Sequence, residues 1–481
     1  MDKRITILEI CLLFAMVLAA FAIRLPFNSM PLDRDEGTYA YIAQHVYSHE
    51  LPYRDTFDHK PPFIYYIYKT AFDFFGISAE SIRVFTTICV LISMVLVFIL
   101  TRHFSNRWVA LLAALIYMVY QNNYMMGGET ANTEVFLQIP LLLAMLFLLD
   151  IEKKYEHVSF FIAGIFIGVA FYVKTMVIFI FLVPLIYIFY YYRNIKNAVR
   201  YSVWYTCGFF LVTLLVFAWA IKNGIMNEFI DCNVLYNFFY IGGNQSTGMP
   251  ALADGLKFII DTDTLLFLSF LWSVYMLFRE PKERANFLIF FFSATMYIGI
   301  VILKGPLLHY YLVLVPGFAI LSAMMIWDFY LILKEKMEKR AVIAVLILAL
   351  VINLVVYIKV LKIVEYYKSG IYTMVMFHDS RAIAEIINRQ KNEKTTLFVW
   401  PNEPEIYFLT GIKAPGRFIY ATPMGYYKKD FQALFEKIAD NPPDFFALTK
   451  DEKENMFNGL IKSFYDKQIE TSNIILYKRR K

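Results

Sequence analysis

The chain has 481 residues, of which 59% are hydrophobic, 18% aromatic and only 18% charged, with a mean hydropathy of +0.51. Soluble globular domains carry about 25% charged and 45–50% apolar residues, so the composition excludes a soluble enzyme as well as a disordered or fibrous chain. The net charge of +6 is modest, and its placement assigns it to membrane topology rather than to nucleic acid.

A transmembrane helix needs about 20 mostly apolar residues. The sequence offers about eleven such runs, near 5–23, 82–101, 108–124, 135–150, 158–173, 176–192, 201–221, 264–278, 285–303, 311–333 and 341–361. Lys174 interrupts the fifth and sixth, which reads as a tight helical hairpin. Alternate loops are basic: Lys3-Arg4, Arg102/Arg107, Lys153-Lys154, Arg193/Lys196/Arg200, Arg279/Lys282/Arg284 and Lys334 to Arg340. Lys/Arg-rich short loops face the cytoplasm. The expectation is therefore a multi-pass protein of the inner or plasma membrane. Its N-terminus is inside and, after an odd number of spans, its tail is periplasmic or extracellular.

Residues 362–481 carry 34 Lys, Arg, Asp and Glu, against 52 in the first 361. The chain thus reads as a membrane domain over 1–361, with a long first outer loop at 24–81, followed by a soluble domain over 362–481. In that loop Glu36–Ser48 and Phe63–Phe75 read as aromatic-rich surface helices. In the tail, Asp379–Gln390, Glu403–Leu409 and Lys429–Ala439 read as helices. Thr395–Trp400, Arg417–Tyr420, Asp444–Leu448 and Ile474–Tyr477 read as strands, giving a small α/β domain. The four cysteines are Cys11, Cys89, Cys207 and Cys232. The first three lie in apolar runs, so no disulfide framework is expected. Cys232 is the one expected within reach of an impermeant thiol reagent.

The densest polar constellation is Asp33-Arg34-Asp35-Glu36, Tyr39, Tyr53-Arg54-Asp55 and Asp58-His59-Lys60-Pro61-Pro62. A solvated charged loop is the plain alternative. Against it stand the apolar surface helices on either side and the proline pair, which restrains the backbone at Lys60. A second cluster is Glu129 to Glu134, where Asn132 or Thr133 reads as a helix cap with Glu134 in the first turn. Capping leaves Glu129 unassigned. Lys174 is costly in an apolar run and often functional there, or else snorkels to the interface. His309 with Tyr310 is either a site element or part of an aromatic belt. All of these fall at the outer ends of spans. A transporter would be expected to place its charges near the midplane.

The segment DRDEGTYAYIAQHVYSHELPYRDTFDHKPPFIYYIY resembles the first outer loop of the GT-C membrane glycosyltransferases, closest to the protein-mannosyltransferase and aminoarabinose-transferase-like group. TANTE and HYYL follow in the order that family has, and LFVWPNEPEIYFLTGIKAPGRFIY is similar to its soluble domain. The resemblance implies a polytopic helical GT-C fold with an extracytoplasmic α/β tail. It implies an inverting sugar transferase that uses a polyprenyl-phosphate-linked donor and a lipid, glycan or protein acceptor, with no nucleic-acid partner. Asp35 is then the base, with Glu36 beside it as a catalytic candidate, and Lys60 contacts the lipid phosphate. Glu129 or Glu134 matches the second outer acid. His59 stands where some relatives carry an acid, so that acid's metal contact does not carry over.

The residues themselves agree with that chemistry. An acceptor hydroxyl must lose a proton as it attacks, and a placed carboxylate accepts it. A lysine or arginine stabilises the leaving phosphate, which makes Arg54 and Lys174 further phosphate-binding candidates. Asp58, His59, His309 and Tyr310 complete the candidate set. A monophosphate leaving group implies no obligatory cofactor, and a divalent metal is left open. The rival readings are a transporter or flippase of polyprenyl-linked sugars and a non-catalytic membrane scaffold.

Overall fold

The computed structural model describes residues 6–480 except 124–125, 150–154, 244–252, 254–256, 258–263, 282, 303–307, 337–374 and 451–456. Among these residues, six helices are long and apolar enough to cross a membrane: Ile7–Ser29, Ala79–Phe104, Glu156–Val173, Ile195–Lys222, Arg284–Val301 and His309–Glu335. Shorter apolar helices run over Arg107–Gln121, Thr133–Leu149, Thr175–Tyr191 and Leu265–Arg279. They fall on ten of the eleven expected spans, and the eleventh, 341–361, lies outside the described residues. The chain is a multi-pass membrane protein.

Packing divides the chain into two compact units. One comprises Met1–Phe27, Phe85–Ala218 and Gly243–Ser369, the other Asn28–Val84, Trp219–Gly242 and Gly370–Lys481. Charge density had placed the boundary at 361/362. By packing, two segments that precede the tail in the chain, 28–84 and 219–242, group with it.

In the first unit, helix Ile7–Arg24 begins at a Thr6 capping box with Glu9. Glu9 also binds Arg102 Nε at 2.7 Å. At the other end of this helix, Arg24 is buried. Its guanidinium donates to Thr87 Oγ1 at 3.1 Å and to Asn122 Oδ1 and the Gly128 carbonyl, both at 2.9 Å. Helices Glu156–Val173 and Ile195–Lys222 meet at glycines, because a Cβ on Gly164 would strike the Tyr205 carbonyl oxygen and one on Gly208 that of Phe161. Small residues allow such close backbone approach where no hydrophobic driving force exists between helices. The first of these helices stops at Lys174, whose backbone is extended, and a 3₁₀ turn over Thr175–Phe179 follows. This is the interruption expected at that lysine.

In the second unit, helix Arg34–Val46 starts at Asp33. The Asp33 carboxylate accepts from the Glu36 N–H, and the Glu36 carboxylate accepts from the Asp33 N–H, each at 2.7 Å. Helix Phe63–Phe75 follows the Pro61-Pro62 pair and ends at Gly76 in a positive-φ conformation. Gly37 lies against the helix Glu405–Thr410, where a Cβ would come within 2.5 Å of Glu405 Cβ. Phe72 stacks on Phe408 at 5.7 Å. These contacts are why the first outer loop groups with the tail.

The tail holds a four-stranded sheet of order β1-β2-β4-β3, with β1 Leu397–Trp400, β2 Phe445–Thr449, β3 Tyr465–Glu470 and β4 Ile474–Arg479. β1 and β2 are parallel, with Leu397 opposite Phe445, and the other pairs are antiparallel. Helices Val375–Gln390, Lys428–Asp440 and Asn458–Phe464 accompany the sheet. Two expectations need correction. Arg417–Tyr420 forms no strand, because its side chains pack onto the first outer loop. Strand β3, whose residues Asp466, Lys467 and Gln468 are exposed, escaped notice because an edge strand with few buried residues lacks the apolar alternation that marks a strand.

Candidate active site

The residues expected to carry the chemistry gather in two clusters, one in each unit. In the second unit, the capping box at Asp33 places Asp35 in the first turn of its helix, with its side chain 46% exposed. Lys60 Nζ stands 3.9 Å from Asp35 Oδ2, and Tyr39 OH donates to the same oxygen at 3.4 Å. The Lys60 backbone is held independently. The hydroxyl of Tyr53 donates to its carbonyl at 2.9 Å, and the Tyr65 hydroxyl oxygen lies 3.1 Å from the same carbonyl. Tyr53 is fully buried with φ at 75°, a sparsely populated conformation that persists only where the surroundings enforce it. Its N–H donates to the Thr56 carbonyl at 2.8 Å, and the Leu51 N–H donates to Asp55 at 2.8 Å, so the turn before Lys60 is tightly closed.

Asp58 lies beneath this pair and is buried. It accepts from the His59 N–H at 2.7 Å, Tyr65 OH at 2.9 Å and Tyr420 OH at 3.1 Å. Burial raises its carboxyl above the usual range, with Lys60 working against that rise and Asp35 adding to it. His59 Nε2 is 3.3 Å from Lys60 Nζ and its Nδ1 is 3.4 Å from Asp58. Its ring lies against Tyr236 and Tyr240 at 5.5 and 5.3 Å. Among the described residues, no three His, Cys, Asp or Glu side chains stand together as metal ligands would.

Two candidates of this loop point elsewhere. Glu36 is fully buried, and both its oxygens pair with the buried Arg83, which also donates to the Pro31 carbonyl at 2.5 Å. Glu36 is thus enclosed, cap-forming and ion-paired in this structure, whereas Asp35 beside it is half-exposed. Arg54 binds its neighbour Asp55 at 2.7 Å, and Arg34 binds Glu403 at 2.8 Å. Cys232 corrects another expectation. It is fully buried, and burial pushes its thiol up to about 12, so it offers nothing to a surface reagent.

In the first unit, three separate sequence signals meet. Lys174 ion-pairs with the buried Glu134, and its ammonium lies 3.7 Å from the centre of the Tyr310 ring. Glu134 is in the first turn of its helix, as expected, and accepts from Thr133 Oγ1 at 2.9 Å. Glu129 is also buried, in the turn whose Gly128 carbonyl Arg24 holds. That turn lies against His309, since a Cβ on Gly127 would be 3.5 Å from His309 Cβ. Sequence reading missed Tyr65, Arg83 and Tyr420, and placed Tyr53 in the polar constellation without giving it a role. Arg83, a charge near the start of an apolar run, was the one visible signal.

The family described as dolichyl-phosphate-mannose-protein mannosyltransferase matches residues 59–221, a stretch that contains His59, Lys60, Glu129, Glu134 and Lys174. A comparison with curated proteins found no match. Among solved structures, the chain is similar to ArnT from Cupriavidus metallidurans bound to undecaprenyl phosphate, with a TM-score of 0.68 and 14% identity over 97% of both chains. It is also similar to the Archaeoglobus fulgidus oligosaccharyltransferase tethered with an acceptor peptide, with a TM-score of 0.59 and 12% identity over 98% of this chain and 74% of that one. The oligosaccharyltransferase AglB from the same organism, in complex with an inhibitory peptide and a dolichol-phosphate, gives a TM-score of 0.54 and 12% identity over 91% and 69%. At these identities the likeness is one of fold: the chain has the fold of the GT-C membrane glycosyltransferases.

Proposed function

We propose that the chain is an inverting glycosyltransferase that moves a sugar from a polyprenyl-phosphate donor to an acceptor hydroxyl at the outer face of the membrane. The observation that carries this reading is the half-exposed Asp35 carboxylate beside the Lys60 ammonium. The two solved structures described with undecaprenyl phosphate and dolichol-phosphate support a lipid-phosphate donor.

Asp35 accepts the proton of the acceptor hydroxyl as its oxygen attacks the anomeric carbon. A positioned base of this kind contributes typically about 10²–10⁴-fold. The bond from that carbon to the phosphate oxygen breaks, and charge grows on the departing polyprenyl phosphate, where Lys60 stabilises it. Inversion places attack and departure on opposite faces of the sugar. The donor must therefore come between Asp35 and Lys60 and exchange their ion pair for a lysine–phosphate pair.

The test is to incubate purified protein with a panel of polyprenyl-phosphate sugars and candidate acceptors and to measure release of polyprenyl phosphate. Release coupled to acceptor glycosylation supports the reading. Movement of intact donor across a vesicle bilayer without release supports a flippase instead.

A further inference from the structure

Asp58 receives its hydrogen bonds from three places in the sequence. The His59 N–H is adjacent, Tyr65 belongs to the following helix, and Tyr420 belongs to the tail. Around Tyr420 the tail makes a second attachment. The Phe57 N–H donates to the Arg417 carbonyl at 2.7 Å. The Phe57 ring packs on Phe418 at 5.5 Å, Tyr420 at 5.9 Å and Tyr427 at 5.2 Å. The Arg417 guanidinium lies over the Phe57, Phe418 and Tyr427 rings at 4.9–5.9 Å. The segment Arg417–Tyr420 thus grips residues 57 and 58, just before Lys60. Its irregular backbone follows from that grip.

We propose that Tyr420 is a positioning residue for sugar transfer: through Asp58 it fixes the turn that aims Lys60, so the tail completes the site. This rests on the transferase reading above. Asp58 is fully enclosed. The charged and titratable groups facing it are Lys60, Asp35, His59, Tyr53, Tyr65, Tyr236, Tyr420 and Cys232. A buried carboxylate that loses one of its donors keeps the cost of desolvation without the compensating bond. It then holds a proton to higher pH, or the turn shifts to find another donor. Either response loosens the placement of Lys60 against Asp35.

The experiment is a double-mutant cycle on the full chain with Tyr420→Phe, Asp58→Asn and the double variant, reading transfer kinetics against pH and amide hydrogen exchange over residues 51–62. Tyr420→Phe removes one hydroxyl and keeps the ring packing. It should lower turnover roughly tenfold, move the acid limb of the rate profile to higher pH and speed exchange in the turn. On the Asp58→Asn background the same change should have little further effect, because residues acting through one another are not additive. Equal rate, profile and exchange in Tyr420→Phe and wild type would overturn this assignment alone. Full additivity with Asp58→Asn would overturn it too, since Tyr420 would then act by another route. A wild-type protein that transfers no sugar from any donor overturns the transferase reading, and this assignment with it.

Discussion

Lys60 Nζ and Asp35 Oδ2 stand 3.9 Å apart although 25 residues separate them, and each is fixed by a different device. The helix cap at Asp33 sets Asp35. The Tyr53 hydroxyl on its carbonyl sets Lys60. If this pair is where donor phosphate binds, Lys60→Ala should weaken polyprenyl-phosphate binding and slow transfer while the protein stays folded. Lys60→Arg should retain part of the activity, because charge survives but geometry changes. Calorimetric titration with polyprenyl phosphate decides this, and unchanged affinity in Lys60→Ala would remove the phosphate role.

Glu36 and Arg83 make a different kind of pair. Both are almost completely buried, so removing one partner strands the other's charge at a cost of about 3–5 kcal/mol. Glu36→Gln and Arg83→Met should each lower the melting temperature in detergent sharply, and the double variant should be less unstable than the two losses summed. A Glu36→Gln protein with normal stability and reduced turnover would instead assign Glu36 to the chemistry.

Glu405 gives a pH dependence. Burial and the neighbouring Glu403 push its carboxyl well above the usual range. A carboxyl that holds its proton more tightly in the folded chain adds stability below its ordinary pKa and loses it as pH rises towards the folded value. Stability should fall by up to about 1.4 kcal/mol per pH unit across that window. Glu405→Gln should melt higher than wild type at pH 8 and show a flatter profile. Identical profiles for the two would show that Glu405 ionises freely.

Topology is open to a direct label. We expect the tail outside the cytoplasm. In a variant with Cys11 and Cys207 changed to alanine and Lys394→Cys added at an exposed site, an impermeant maleimide applied to intact cells should label position 394. Buried Cys232 should stay unlabelled until the protein is denatured. Labelling at 394 only after permeabilisation would reverse the orientation.

Much of this was legible in the sequence because the signals are local. Spans follow from apolar length, and the surface helices from aromatic periodicity beside Pro61-Pro62. The dense charges of residues 33–60 mark the region, and the choice of Asp35 and Lys60 within it rests on the family resemblance. What escaped is non-local. Nothing near Glu36 announces that Arg83 neutralises it. Glu134, Lys174 and Tyr310 stood out as separate oddities, yet only the packing of their helices makes them one cluster. Arg417–Tyr420 has the composition of a strand, but its partner is the first outer loop rather than a sheet.

The central claim is that Asp35 accepts the proton of the incoming hydroxyl. Single-turnover transfer by Asp35→Asn tests it most directly, because the change removes proton acceptance with little change in shape. The account predicts that donor binding survives and that the rate of polyprenyl phosphate release falls by at least about 10²-fold. Release at the wild-type rate would contradict it and take the proton-accepting role away from Asp35.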